Sequence, residues 1–217
     1  MIRQVGLIDV FYLIAALRWT LALTATAFVG GALVGLLIAI LRVAPAAPLR
    51  WLALAYVQAV QGIPLLVWLF VFYFGLAIVK LPVLPWIAAA LAFSIYGGAF
   101  LGEIWRGALQ AIPKTQWEAG AALGLSFPSQ LRWIIVPQAM RIAIPPTIGF
   151  LVQLIKNTSL AAVIGFVELT REGQLTTAST FQPFTVYMIV AGLYFLVCFP
   201  LTQWSRVLER RVLVAAR

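Results

Sequence analysis

Long runs without a single charged side chain dominate this chain. Twenty-three uncharged residues separate Arg18 from Arg42, 29 separate Arg50 from Lys80, and 22 separate Lys80 from Glu103. Another 33 lie between Glu172 and Arg206, strongly apolar from about Pro183 onward. Each run supplies the roughly 20 residues that a helix needs to cross about 30 Å of hydrocarbon. The region after Arg141 behaves differently: 14 residues reach Lys156 and 11 more reach Glu168, too few in either case. A crossing there must carry Lys156 inside it. The pattern predicts an all-α membrane protein, one transmembrane domain over residues 1–217, with five helices near 17–41, 52–79, 83–106, 142–166 and 183–205.

Composition agrees. Of 217 residues, 64% are hydrophobic and 10% charged, with a mean hydropathy of +1.04; soluble domains carry about 25% charged residues. The lipid bilayer is the solvent that fits. A net charge of +9 raises nucleic acid as a partner. The bases are spread singly between apolar runs rather than clustered on polar segments, which argues against it. The single Cys198 lies in an apolar run and there is no histidine, so no metal site, disulfide framework or imidazole chemistry is expected. Ala25-Thr26-Ala27 resembles a leader-peptide cleavage site, but Asp9 and Arg18 interrupt the apolar stretch before it.

Loop charges predict the orientation. With five crossings, one side holds Arg42, Arg50, Arg106, Lys114, Arg132, Arg141, Arg206, Arg210, Arg211 and Arg217. The other holds Arg3, Arg18, Lys80 and Arg171. The side richer in Lys and Arg faces the cytoplasm, which places the N-terminus outside and the C-terminus inside. Gly31 and Gly35 in the first run have the spacing that lets two helices approach closely. Packing within the chain is the plainer reading, a dimer contact the other.

The segment 108–141 between the third and fourth spans is long for a membrane loop and has helical signals of its own. Thr115 followed by Glu118 reads as a capping box, in which the hydroxyl and the carboxylate satisfy two free N–H groups at a helix start. Pro113 blocks extension of the preceding span. Trp117, Ala121 and Leu125 recur at helical spacing, and Gly124 is a natural helix end. A second short helix is expected to start at Pro128 after Ser126. Two short helices here form a docking device, or alternatively lie on the headgroups.

These residues carry a resemblance. Glu118-Ala119-Gly120, then Gly124, then nine residues before Ile134-Ile135-Val136-Pro137, resembles the EAA loop of ABC importer permeases. Gly120 stands in place of Ala and Val136 in place of Leu. Tyr56–Leu76, Ser94–Gly107, Pro145-Pro146 and Leu154–Leu160 resemble further segments of the polar amino-acid uptake branch, the histidine-, glutamine- and glutamate-type permeases. The departures are Gln58 and Gln61, where many members carry Glu and Arg, and Gly149, where Asn is common. The resemblance implies a coupling helix at Thr115–Gly124, with Thr115, Glu118, Ala119, Gly120, Gly124 and Pro137 contacting an ATPase. It also implies two ATPase subunits, a second copy or paralogous permease, an extracytoplasmic amino-acid-binding protein and a bacterial inner membrane. The chain contains no GxxxxGK[ST] run, so ATP and Mg are expected on the ATPase partner. No cofactor and no catalytic residue are expected on this chain.

Ionisable groups inside a membrane point to function, since each costs about 2.5–3.5 kcal/mol or more there. Lys156 is followed by Asn157, Thr158 and Ser159, a run expected to break the helix where it lines a cavity open to a zwitterion. A lysine snorkelling to the outer interface is the plain alternative. Glu103 and Arg106 share a helix face, as an ion pair or as substrate contacts. Gln58 and Gln61 share a face just before Gly62-Ile63-Pro64, as substrate or interhelical hydrogen-bond groups. Glu168, Arg171 and Glu172 are expected in an outer loop, solvated or against the binding protein. Three rivals remain at this point. One is an ion-coupled secondary transporter that uses Lys156 and Glu103 as a charge relay. The others are a membrane-embedded enzyme, for which no convergent catalytic set is visible, and a non-transporting assembly subunit.

Overall fold

The computed structural model describes residues 4–44 and 46–215, so Arg3 and Arg217 of the charge tally lie outside the described residues. Among the described residues the secondary structure is entirely helical. α1 (Leu7–Val43) is 37 residues long, about 55 Å at 1.5 Å per residue. It begins ten residues ahead of the expected span, because Asp9 accepts the Gly6 N–H at 2.8 Å and Arg18 turns to an exposed position.

α1 lies along α4 (Pro85–Gln110), and small residues set their distance. A Cβ built on Gly31 would stand 3.1 Å from the Cα of Gly97, and one on Gly98 would stand 2.4 Å from Val34 Cγ1. Gly35 meets Leu101 and Gly102 across the same seam. The Gly31/Gly35 pair is therefore used for packing within the chain, as close backbone approach between membrane helices requires. The core beside the seam holds Leu23, Ala27, Ala92, Phe93 and Leu101 with Phe150 and Leu154, and Tyr96, Phe100 and Phe150 form a ring cluster.

The expected second span is not one straight helix. α2 (Ala47–Gly62) and α3 (Leu65–Ile78, with a π turn at Val71–Gly75) meet at 98°. Pro64 has no N–H to continue the ladder, and Ile63 before it is held extended at φ −111°, ψ 133°. Trp68 Nε1 donates to the Val60 carbonyl at 3.3 Å across the corner, and the Tyr56 hydroxyl donates to Ile95 O at 2.6 Å, fastening α2 to α4.

α5 (Lys114–Ala122) follows α4 after three residues. The capping box read at Thr115 and Glu118 does not form. Pro113 itself occupies the cap position at φ −55°, ψ 141°, its carbonyl accepts from Gln116 N–H, and no side-chain cap is made. Proline's fixed φ starts the helix early, so Thr115 is already inside it and both side chains are exposed. The other end matches the expectation. Gly124 sits at φ +72°, with Gly124 N–H bonded to Ala121 O and Leu125 N–H to Gly120 O, the Schellman arrangement that suits glycine.

The second short helix of the loop is also corrected. Ser126 precedes Phe127–Gln130, with Pro128 in its first turn, but the helix does not stop there. A π turn at Leu131–Ile135 joins it to Val136–Asn157, and a tighter 3-10 stretch runs from Thr158 to Ile164. We number the whole unit Phe127–Ile164 as α6, 38 residues long. Pro137, Pro145 and Pro146 lie inside it. The Ser205 hydroxyl donates to Pro145 O at 2.8 Å.

α7 (Leu169–Thr180) and α8 (Pro183–Ala215) complete the chain. By length and composition α1, α4, α6 and α8 are each able to cross a membrane, and the bent α2–α3 pair supplies a fifth crossing if counted as one.

Candidate functional site

α5 is fastened to the start of α6 by several contacts. Gly120 is buried against it, so an added Cβ would meet Gln130 Cγ at 3.0 Å and Ile134 Cδ1 at 3.1 Å. The Gln130 amide donates to Leu125 O at 2.8 Å, the Trp117 and Phe127 rings stack at 5.7 Å, and Gln138 donates to Gln116 Oε1 at 3.3 Å. Glu118 and Ala119 remain exposed, and Leu123 at the helix end is 77% exposed. Pro137 is exposed on α6 itself, just past the π turn. The result is a small unit tied to a long helix, with Lys114, Thr115, Gln116 and Glu118 exposed in its first half and Ala119, Ala121, Ala122 and Leu123 exposed toward its end.

Glu103 sits in a three-member ion cluster. Its Oε1 accepts from Arg42 Nε at 2.9 Å, and its Oε2 accepts from Arg106 Nη2 at 2.7 Å and Nε at 2.9 Å. Arg106 also donates to Gln110 Oε1. The sequence shows the pair at positions 103 and 106, but Arg42 lies 61 residues away and was not foreseen. The cluster ties the end of α1 to α4 close to where α5 begins. Gln61 reaches α4 weakly, its amide 3.4 Å from Ala99 O, while Gln58 is exposed. Neither glutamine is among the residues lining the clefts described next.

Lys156 lies where two clefts meet along α6 and α8. One, of about 380 Å³, is lined by Gly149, Val152, Gln153 and Lys156 on α6 and by Thr202, Ser205 and Arg206 on α8. The other, of about 480 Å³, adds Ser159, Thr170 of α7, and Tyr187, Val190, Ala191 and Tyr194 of α8. Lys156 is exposed and has no ion-pair partner among the described residues. Glu103 lines neither cleft, so the two are not neighbours in a relay.

The run Lys156–Ser159 does not break the helix. Thr158 donates to Ile155 O and Ser159 to Lys156 O, both at 2.7 Å, and these short-range bonds accompany the narrowing to 3-10 geometry. Thr158 is fully buried and turns inward, and Asn157 is half-buried, so only Lys156 and Ser159 line the clefts. The chain breaks later, at Gly165 with φ +83°. Sequence reasoning missed the α8 wall. Its signal was legible: Tyr187, Tyr194, Thr202 and Ser205 recur at helical spacing in an otherwise apolar run.

Glu168 is not solvated. It is 0% exposed and caps α7 by accepting Arg171 N–H at 2.9 Å, while the Tyr194 hydroxyl donates to its Oε2 at 3.0 Å. Burial pushes its carboxyl above the ordinary value, opposed by hydrogen bonds from the Thr170 and Arg171 N–H groups and from Tyr194.

The fold is a bundle of membrane-length helices, with clefts along α6 and α8 that carry Lys156 and with the short helix α5 held against the start of α6. Residues 31–214 match the family described as binding-protein-dependent transport system inner membrane component, and the chain belongs to that family. It is 36% identical over 200 residues to the probable amino-acid ABC transporter permease protein YckA of Bacillus subtilis (strain 168), covering 92% of this chain and 88% of that one. It is 37% identical over 195 residues to the L-cystine transport system permease protein TcyB of the same strain, covering 89% and 83%. The glutamine transport system permease protein GlnP of Escherichia coli (strain K12) is 36% identical over 202 residues, covering 92% of each. Among solved structures, an amino acid ABC transporter crystallised with histidines superposes with a TM-score of 0.87 at 30% identity, covering 96% of this chain and 100% of that one. The MetNI methionine ABC transporter in an inward-facing form shares the fold, with a TM-score of 0.80 at 20% identity over 96% and 99% of the two chains.

Proposed function

We propose that this chain is the membrane-spanning subunit of an ATP-driven importer that carries amino acids, polar or charged ones, across a bacterial inner membrane. The observation that carries the mechanism is mechanical continuity. α5 is fastened to the first turns of α6, and the same α6 carries Lys156 and one wall of the groove. A helix transmits displacement along its axis, so movement of α5 moves the groove wall.

In this reading the α5 end faces the cytoplasm, the chain crosses five times, and its N-terminus is outside. Two ATPase subunits, which would hold ATP and Mg, seat on α5 of this chain and of a second copy or paralogue. Thr115, Glu118, Ala119 and Gly124 contribute surface there, while Gly120 sets the helix against α6. An extracytoplasmic binding protein delivers the amino acid at the other end. Hydrocarbon cannot solvate Lys156, Gln153, Ser205 and Arg206, so the groove faces an aqueous pathway closed by the second permease subunit. The separation of Lys156 from the Glu103 cluster weighs against an ion-coupled relay. With Arg42 and Arg106 as partners, Glu103 acts as a tether rather than a substrate contact.

Lys156 in this pathway meets the substrate carboxylate. In proteoliposomes holding the transporter with its co-purified ATPase, Lys156→Gln is expected to raise the KM for amino-acid uptake about tenfold, the loss of one charge-assisted hydrogen bond. Equal uptake and equal substrate range in both forms would show a snorkelling lysine instead.

A further inference from the structure

Behind Tyr194, a residue of the Lys156 cleft, lies a buried carboxyl group that transport as described above leaves unused. Glu168 is fully buried, and three elements meet around it and the residue that follows. It caps α7 and receives the hydroxyl of Tyr194 from α8. The next residue, Leu169, donates its N–H to Thr20 Oγ1 of α1 at 3.1 Å. The Tyr194 hydroxyl is also 3.0 Å from Thr170 Oγ1, so the three groups form one chain of hydrogen bonds. Such chains polarise their members. A tyrosine that donates to a buried carboxyl group becomes a better acceptor at its own oxygen.

Tyr194 and Thr170 line the same cleft of about 480 Å³ as Lys156. That volume lies in the range of small-molecule sites, roughly 300–1,000 Å³. One part of the lining therefore carries an ammonium group, and another carries the Tyr194 and Thr170 hydroxyls, hydrogen-bonded to each other and, at Tyr194, to Glu168. The adjoining cleft has Gln153, Thr202 and Ser205 along it and Arg206 among its lining, with no carboxylate there. Nothing lies within 4 Å of a Cβ built on Gly149, which leaves room at that level of the groove.

We infer that the Lys156–Thr170–Tyr194 cleft is the subsite for the main-chain zwitterion of the transported amino acid. Its carboxylate sits on Lys156 and its ammonium on the Tyr194 and Thr170 oxygens. The side chain points along the groove toward Gln153 and Thr202. Because Lys156 and Arg206 both line that second cleft, the side chain it takes is neutral polar or acidic, not cationic. Glu168 is a positioning residue that orients Tyr194. The inference rests on the importer reading, and it adds the second pole of the site and the class of side chain.

Equilibrium binding tests it, with each of the twenty common amino acids as radiolabelled probe and the permease–ATPase complex in nanodiscs without binding protein. The expected result is binding of a neutral polar or acidic amino acid. Tyr194→Phe should weaken it about tenfold, and should bind the des-amino analogue of that amino acid as well as the unaltered complex does. Lys156→Gln should instead lose the preference for the amino acid over its α-amide. If Tyr194→Phe does not assemble, Thr170→Val, at a half-buried position, carries the same comparison. Unchanged binding in these variants, or lysine or arginine as the bound amino acid, overturns the subsite. So does absence of binding by a complex whose ATP-driven uptake is intact, which leaves the importer reading standing. A complete transporter that moves no amino acid overturns the importer reading itself.

Discussion

Gly98→Val is expected to abolish the assembled protein. A Cβ at position 98 would lie 2.4 Å from Val34 Cγ1, 2.7 Å from Val34 Cβ and 3.1 Å from the Tyr56 hydroxyl. Valine adds two further methyl groups in the same place. Ordinary overpacking costs about 1–3 kcal/mol because neighbours shift. Here Val34 is itself branched and stiff, and the helices behind it are nearly in backbone contact, with Gly31 and Gly97 meeting one turn away. Relief requires α1 and α4 to separate along the seam that organises the core. The check is fluorescence-detected size-exclusion of the detergent-extracted protein, where the monodisperse peak should be lost. Gly107→Ala is the matched control, because nothing lies within 4 Å of its Cβ, and alanine in a helix gains about 0.8–1 kcal/mol over glycine. A Gly98→Val protein with an unchanged melting temperature would show that the seam does not hold the fold.

Leu123→Asp is expected to leave the fold intact and abolish transport. Leu123 stands 77% exposed at the end of α5, so its replacement removes no buried contact. The apolar surface it offers has no use in water, and a charge placed at the centre of a docking patch costs binding about 2–4 kcal/mol where the residue is an anchor. That corresponds to roughly a thirtyfold to several-hundredfold weaker hold on the ATPase subunit. Co-purification of the ATPase and uptake should fall together while the size-exclusion profile stays unchanged. Normal co-purification and uptake would place the coupling surface elsewhere.

How much could be read from sequence differs by kind of signal. That the chain is built of long apolar helices able to cross a membrane was legible because run length and absence of charge are local properties. Lys156 was legible for the same reason, since no crossing could be drawn without it. The α1–α4 seam was half legible: Gly31 and Gly35 announced a close approach, but their partners were Gly97, Gly98 and Gly102, found only once α4 lay alongside. Two local readings failed because a stronger local rule won. Pro113 took the cap position assigned to Thr115, and the π turn at Leu131–Ile135 let one helix run on where two were expected. The remaining gaps are long-range. Arg42 reaches Glu103 across 61 residues, and Glu168 is buried by Tyr194 and Thr20 acting from two other helices. A carboxylate between charged neighbours reads as a solvated loop until those partners are in place.

The central claim is that movement of α5, driven by ATP hydrolysis in a partner, moves the groove wall on α6. The direct measurement is amino-acid uptake by proteoliposomes containing this permease with its ATPase and binding protein, with ATP inside, and with ion gradients collapsed by ionophores. Uptake is expected to require ATP, to survive the ionophores and to disappear in Leu123→Asp. Uptake that persists without ATP and follows an imposed ion gradient would contradict it.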